Sequence, residues 1–269
     1  MVKFWSRLKR PKISKRQKFA LTAILLSAGL LAIQALGFSG RYQAIGVLTL
    51  LTLLLSAWSL AEDLKIGWWF LNILVLPTFF VAGVGLFYFL TPAVWLTRVP
   101  IILLFGLGLY VLLLTENIFA VAAIRTIQLL RSAQAVGFLL TVVTAFFLYD
   151  TILSFRLDPW LNSLLIGVIS FPLILHGLWS INLEERIPRQ TWLYVFFLSL
   201  VLAETGLILS FWPLTVAVGS LGLSTVLYIV LGLVQHRLSE RLFKRTVNEY
   251  LGVGMMVLVI IFLTAHWGG

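Results

Sequence analysis

The sequence predicts an all-α protein, a polytopic transmembrane helical bundle with about nine spans. The chain of 269 residues is 61% hydrophobic and only 11% charged, whereas a soluble domain carries about 25% charged residues. The apolar residues fall in uninterrupted blocks of roughly 20, the length at which a helix crosses the hydrocarbon of a bilayer. These blocks lack the alternation and the short length of barrel strands, so the spans are predicted to be helices.

The first four spans are separated by short segments that carry basic residues. A basic tail over 1–18 precedes the first apolar block, which is too long for the core of a cleaved signal peptide. Arg41, Lys65 and Arg98 lie in the next three connecting segments. The four predicted spans are 19–38, 42–61, 68–90 and 99–116.

The remaining five spans follow the same pattern, with one boundary that needs a turn. The stretch from Thr191 to Val234 is far too long for one crossing. We therefore predict a tight turn at "SFWPLT", with Pro213 at the first position of the following helix, a position that proline favours. The five predicted spans are 133–152, 160–181, 191–211, 213–234 and 248–267.

The distribution of charge predicts the orientation of the bundle. If the N-terminus is cytoplasmic and the spans alternate, 17 of the 20 Lys and Arg residues lie on the inner side. Such a bias is typical of cytoplasmic loops, and it places the C-terminus outside. The predicted localisation is the cell membrane, and more narrowly a bacterial inner membrane.

Domain organisation is predicted to be simple: the basic cytoplasmic tail 1–18 and one transmembrane domain over 19–269. "IGVLTLLTLLLSAWS" (45–59) aligns with "IGVISFPLILHGLWS" (166–180) without a gap. An offset near 120 residues would make 19–131 and 132–247 two parallel repeats of four helices, followed by one extra helix. Parallel repeats are a feature of some transporters.

Two predicted cytoplasmic segments have some length. Residues 116–134 form either an interfacial amphipathic helix or the inner ends of long fourth and fifth helices. Residues 235–250 are more clearly amphipathic and are predicted to form a helix on the inner leaflet. The predicted partners are the bilayer itself, with anionic lipids bound by the basic tail and by 235–250, and other membrane proteins. Because the positive charge follows the membrane topology, no nucleic-acid partner is predicted.

A few polar residues fall well within the apolar spans, where placing them is costly and often functional. From a rise of about 1.5 Å per residue, Glu204 lies roughly 5 Å outward of the midplane and His176 about 8 Å inward. That separation excludes a direct hydrogen bond between them, and Gln34 and Ser220 are better matched in depth to Glu204. The predicted substrate-binding or proton-binding residues are Glu204, Gln34, Ser220 and His176. Asp150 is expected to pair with Arg156.

No motif identifies a reaction. The chain has no cysteine, which excludes disulfides and thiolate metal sites, and no nucleophile, zinc or phosphate-loop motif is present. No catalytic residue, metal site or cofactor is predicted. The favoured hypothesis is a transporter or lipid-handling carrier with an intramembrane Glu. The alternatives are a non-catalytic scaffold or accessory subunit of a membrane complex and, third, an intramembrane enzyme.

Overall fold

The computed structural model describes residues 14–33, 38–61, 69–91, 95–124, 126–184 and 186–265 of the chain. All regular secondary structure within these ranges is helical, and nine of these helices are long and apolar enough to cross a membrane. The predicted multi-pass helical bundle is confirmed. The helices are α1 (Lys15–Ile33), α2 (Phe38–Leu60), α3 (Trp69–Leu90), α4 (Trp95–Ala122), α5 (Leu130–Ser154), α6 (Pro159–Asn182), α7 (Arg189–Ser210), α8 (Val216–Leu238) and α9 (Lys244–Thr264).

The helices pack as two groups of four with α9 added at one side. In the first group α1 packs against α2 and α4, while α3 packs against α2 and α4. The same pairs are packed in the second group, α5 to α8. The groups join where α5 packs against α3 and α4, and where α3 packs against α6. Below, "inner" and "outer" follow the orientation that the charge distribution predicts.

The two predicted cytoplasmic segments, 116–134 and 235–250, have different structures. α4 continues to Ala122 and α5 begins at Leu130, so 116–122 and 130–134 are the inner ends of two long helices. The prediction of a helix lying on the inner leaflet over 235–250 is wrong. Its first residues complete α8, its last begin α9, and Glu240 between them has a left-handed backbone with φ 56°. The basic residues His236 and Arg237 lie in the last turn of α8, where cations interact favourably with the helix dipole.

The predicted turn between the seventh and eighth spans is confirmed, although its details differ. α7 ends at Ser210, and the Leu214 amide donates to the Trp212 carbonyl within the turn. Pro213 lies inside this connection and not at the start of α8, which begins at Val216. Thr215 provides the extended residue before the helix.

Two pairs of helices in the two groups begin at the same spacing. α2 and α6 begin at Phe38 and Pro159, 121 residues apart, and α4 and α8 begin at Trp95 and Val216, also 121 apart. One packing contact corresponds as well. Gly85 of α3 faces the Ile45 side chain of α2, and 121 residues later Gly206 of α7 faces Ile166 of α6.

The correspondence does not extend to the first helix of each group. Ser27 of α1 faces Gly106 of α4, within its own group. The residue 121 positions later, Leu148 of α5, faces Gly83 of α3 in the other group. α5 therefore packs through a different face from the one that α1 uses. The reason is that α5 lies between both groups, while α1 lies at an edge. The internal duplication stays a prediction.

The last helix is the least embedded one. Only 11% of the span in α9 is buried, compared with 50% in α5 and α6. Its main anchor is Tyr250, whose ring packs at 4.8 Å between centroids against Tyr228 of α8 and edge-on against His236. Gly232 of α8 leaves the room that the Tyr250 ring occupies.

Candidate functional site

The inner half of α6 is fixed by side chains from two neighbouring helices. Gln134 of α5 donates its amide to the carbonyls of Ser180 and Ile181 at 3.0 and 3.1 Å. Gln235 of α8 donates to the Gly177 carbonyl at 2.8 Å. Partly buried amide–carbonyl bonds of this kind join helices in an apolar medium. They set the position of the adjacent His176.

His176 meets a carboxyl group in the interior of the bundle. Its Nε2 lies 3.0 Å from Oε1 of Glu116 on α4. The side chains are only 1% and 0% exposed, which makes this a fully enclosed pair. The contact joins the first helix group to the second. Both residues lie six positions before the inner ends of their helices, roughly 9 Å along the axis.

The pair has unused hydrogen-bonding capacity. The distance is that of an ion pair, but among the described residues both Glu116 oxygens and both His176 nitrogens lack a hydrogen-bond partner. We therefore treat the contact as electrostatic. A buried polar atom without a partner costs free energy and calls for an explanation. Because a carboxyl and an imidazole together can gain or lose a single proton, such a pair is suited to hold one.

Aromatic and small residues shape the surroundings of the pair. The Phe119 ring lies edge-on to the His176 ring, with 6.2 Å between the ring centroids. The centroid of the Trp179 ring lies 6.5 Å from that of His176. Gly137 of α5 lets Phe119 approach, because a methyl group there would meet its ring. Elsewhere, Asn72 is buried in α3, and neither of its amide atoms has a hydrogen-bond partner among the described residues.

The four residues predicted from the sequence do not form one site. Glu204 lies on α7, and its side chain is exposed at the surface of the bundle. Ser220 is buried, and its hydroxyl donates to Oδ1 of Asp150 at 3.1 Å, so it serves Asp150 and not Glu204. His176 pairs with Glu116. Gln34 lies outside the described residues. Whether any of the four binds a substrate or a proton stays a prediction.

Asp150 belongs to a second buried polar cluster, near the outer end of α5. Its side chain is 6% exposed and bonds to Ser220, so the expected pairing with Arg156 is wrong. Nearby, the Tyr149 hydroxyl and Ser170 Oγ are 2.7 Å apart. The Ser220 hydroxyl of α8 thus supplies the partner that the sequence assigned to a basic residue.

Glu116 is the functional candidate that the sequence analysis missed. The predicted fourth span ended at residue 116, which put this carboxyl at the membrane surface. The helix continues for six more residues, which carries Glu116 inside. The apolar run "NIFAVAA" after Glu116 was the available signal, because it prolongs the hydrophobic block on the inner side. Within the described ranges, no three His, Cys, Asp or Glu residues are grouped to hold a metal ion.

Comparison with known proteins places the chain in a family. No curated protein and no solved structure matches it. A family model described as "Protein of unknown function (DUF5656)" matches residues 55–264, from the inner half of α2 to the last residue of α9. That match covers well over half of the sequence. The chain therefore belongs to the DUF5656 family.

Proposed function

We propose that this multi-pass membrane protein is a proton-linked carrier of the cytoplasmic membrane, with Glu116 and His176 as the proton-holding group. The observation that carries the proposal is the enclosed carboxyl–imidazole contact of 3.0 Å between α4 and α6. Intramembrane ionisable residues are rare because they are costly, and they commonly mark proton relays. The position between two helix groups is also where carriers built from repeated units place their sites.

The proposed proton-holding pair does not include Glu204, the carboxyl that the sequence favoured. The Glu204 side chain is exposed at the surface of the bundle, whereas Glu116 is enclosed beside His176. The carrier hypothesis therefore assigns the proton-holding role to Glu116. Because the pair joins the two groups, a change in its protonation alters an attraction that holds them together. In a carrier, the groups would then move relative to one another and open the pair to water on one side.

Water access to the pair can be measured because the chain contains no cysteine. Ser180 is buried one turn from His176 toward the inner end of α6. We expect a Ser180→Cys variant in inside-out vesicles to react with a membrane-impermeant cationic methanethiosulfonate reagent. The rate, relative to a Ser239→Cys variant in the exposed turn after α8, should change several-fold between pH 5 and 8.

The controls separate a moving pair from a static one. Glu116→Gln keeps a similar shape but removes the carboxyl of the pair, so the relative rate should become independent of pH. Ser239→Cys corrects for the pH dependence of the thiol itself. A Ser180→Cys thiol that stays protected from both sides of the membrane at every pH would rule out the carrier.

A second candidate function, a subunit of a membrane assembly, is favoured by the position of Glu204. In the first helix group Gly83 of α3, 121 residues before Glu204, packs against Leu148 of α5. The corresponding face of α7 is open. A carboxylic acid in hydrocarbon needs a hydrogen-bonding partner, and in its neutral form it is both donor and acceptor. We propose that a second copy of the chain meets this face across a two-fold axis.

Disulfide trapping tests this association. Val201 and Ile208 are exposed on the same face of α7 as Glu204. We expect Val201→Cys or Ile208→Cys to form disulfide-linked dimers in native membranes, while Leu164→Cys on the exposed face of α6 should not. Adding Glu204→Leu should abolish the dimer, and Glu204→Gln, which retains hydrogen bonding, should preserve it. A monomer under all of these conditions would exclude self-association through α7.

The inner-side basic residues suggest a lipid partner for either function. Arg241, Lys244 and Arg245 are exposed in the connection from α8 to α9. Arg245 makes only a solvent-exposed ion pair with Glu249, which contributes little. We propose that these residues attract anionic headgroups, at about 1 kcal/mol for each basic residue near the surface. The basic tail 1–18, predicted to act in the same way, is described only from residue 14 onward.

A further inference from the structure

A cavity of about 600 Å³ opens between the outer ends of α5, α6, α7 and α8. It is separate from the Glu116–His176 pair, which lies toward the inner side. Its lining combines polar groups with apolar side chains, as ligand sites commonly do. The residues that matter for its chemistry are Arg156, Asn162, Trp212, Thr215 and Val216.

Arg156 supplies positive charge to this cavity. It follows the end of α5 and has a left-handed backbone with φ 49°, an uncommon conformation for a residue with a side chain. Among the described residues its guanidinium has no ion-pair partner, since Asp150 bonds to Ser220. Non-glycine residues held in this conformation occur often at binding sites. A planar guanidinium with free donors is suited to bind a phosphate group.

Asn162 contributes a buried polar group with an unmet need. Its side chain is only 5% exposed and lines the cavity. The Nδ2 group donates to the Leu157 carbonyl at 3.2 Å, which fixes the amide at the turn between α5 and α6. Its Oδ1 is buried and has no hydrogen-bond partner in the part of the chain that the structure describes. This oxygen accepts, and a ligand that carries an N–H or O–H group would satisfy it.

The beginning of α8 adds further donors. Thr215 and Val216 line the cavity, and no side chain caps the helix at Thr215. The first backbone N–H groups of a helix have no acceptor within the helix. Together with the helix dipole they attract anions. Arg156 and the start of α8 therefore offer two kinds of anion-binding donor in one cavity.

We propose that this cavity binds a phosphate ester that carries an ammonium or hydroxyl group. Its phosphate contacts Arg156 and the start of α8, and its donor group contacts Asn162 Oδ1. The two acids in the neighbourhood, buried Asp150 and exposed Asp158 at the start of α6, favour a ligand whose positive group offsets the phosphate. A phospholipid headgroup of the outer leaflet and a soluble phosphate share this chemistry.

Calorimetric titration of the purified full chain in a phosphate-free maltoside detergent tests the site. The probes are dihexanoyl phosphatidylethanolamine, dihexanoyl phosphatidylcholine, whose headgroup has no N–H donor, and inorganic phosphate. We expect the ethanolamine lipid to bind, and Arg156→Gln to weaken it roughly tenfold or more, as befits the loss of a charged hydrogen bond. Arg189→Gln, an equal charge change at the exposed inner end of α7, should leave binding unchanged.

The arms of the experiment identify the source of the ligand. Preference for the ethanolamine over the choline lipid, lost in Asn162→Ala, supports a headgroup held by both of its ends. Binding of inorganic phosphate that is equally sensitive to Arg156→Gln supports a soluble phosphate as the source. If no probe binds the wild-type chain, or if Arg156→Gln binds as well as wild type, the proposal is overturned. The outcome is independent of the carrier, because Arg156 and Asn162 are remote from Glu116.

Discussion

A His176→Ala variant is expected to lose about 3–5 kcal/mol of unfolding free energy, because it leaves the Glu116 carboxyl buried without its partner. Both side chains are at most 1% exposed, so solvent does not compensate for the lost contact. The truncation also creates a cavity beside Phe119, whose ring now packs edge-on against the imidazole. Thermal or denaturant unfolding of the purified protein in detergent micelles measures the loss.

A matched variant separates the cost of the unpaired charge from the worth of the pair. Replacing both residues, Glu116→Leu with His176→Leu, removes every buried polar atom of the contact. Such replacement of a buried ion pair by apolar residues is often neutral or stabilising. We expect the double variant to unfold near the wild-type temperature. A double variant as unstable as His176→Ala would show that the pair stabilises the fold directly, which would weaken the case for its retention by function.

Gly232→Val is expected to displace α9, the second large effect. The ring of Tyr250 occupies the space beside Gly232, so any side chain at this position meets the ring. The ring is rigid and already packed between Tyr228 and His236, which limits its escape. Overpacking of this kind costs about 1–3 kcal/mol. We expect a lower unfolding temperature and faster proteolysis of the connection between α8 and α9.

The control for this variant lies on α9 itself. Gly252 has open space where its Cβ would be, with no atom within 4 Å. Gly252→Ala is therefore expected to be neutral, or to gain up to about 1 kcal/mol from improved helix propensity. In a protein that already carries Tyr250→Ala, adding Gly232→Val should cause no further loss of stability, since the colliding ring is gone. Equal loss in the Gly232 and Gly252 variants would contradict the steric argument.

The number and order of the helices were predictable because membrane spans obey a length rule. Blocks of about 20 apolar residues and their basic flanks gave nine spans in the right places. The ends were less predictable, as α4 and the 235–250 segment illustrate. At the interface a helix can continue, stop or turn along the membrane at similar cost. The left-handed residue Glu240 is what ends that segment as a turn.

The candidate site was harder to predict, for a reason particular to membranes. In water, an apolar face of a helix marks the core. In lipid, the core face and the lipid face are both apolar, so the sequence of α7 does not tell which way Glu204 points. The contact between Gly206 of α7 and Ile166 of α6 sets the rotation of α7 about its axis. With this rotation, Glu204 is exposed at the surface of the bundle. The partner of His176 was likewise hidden, because it required the position of α4 relative to α6 across the two helix groups.

The different surroundings of Glu116 and Glu204 affect how the chain enters the bilayer. A charged side chain within a span adds to the cost of translocon-mediated insertion, by up to about 2.5–3.5 kcal/mol for a position at the helix centre. For Glu116 this cost is temporary, because the finished bundle encloses the carboxyl beside His176. For Glu204 the finished monomer recovers nothing, because the side chain remains exposed on α7. Under the proposed self-association, a newly made chain would compensate for this cost only when α7 meets a second copy, and assembly would be the last step of its biogenesis.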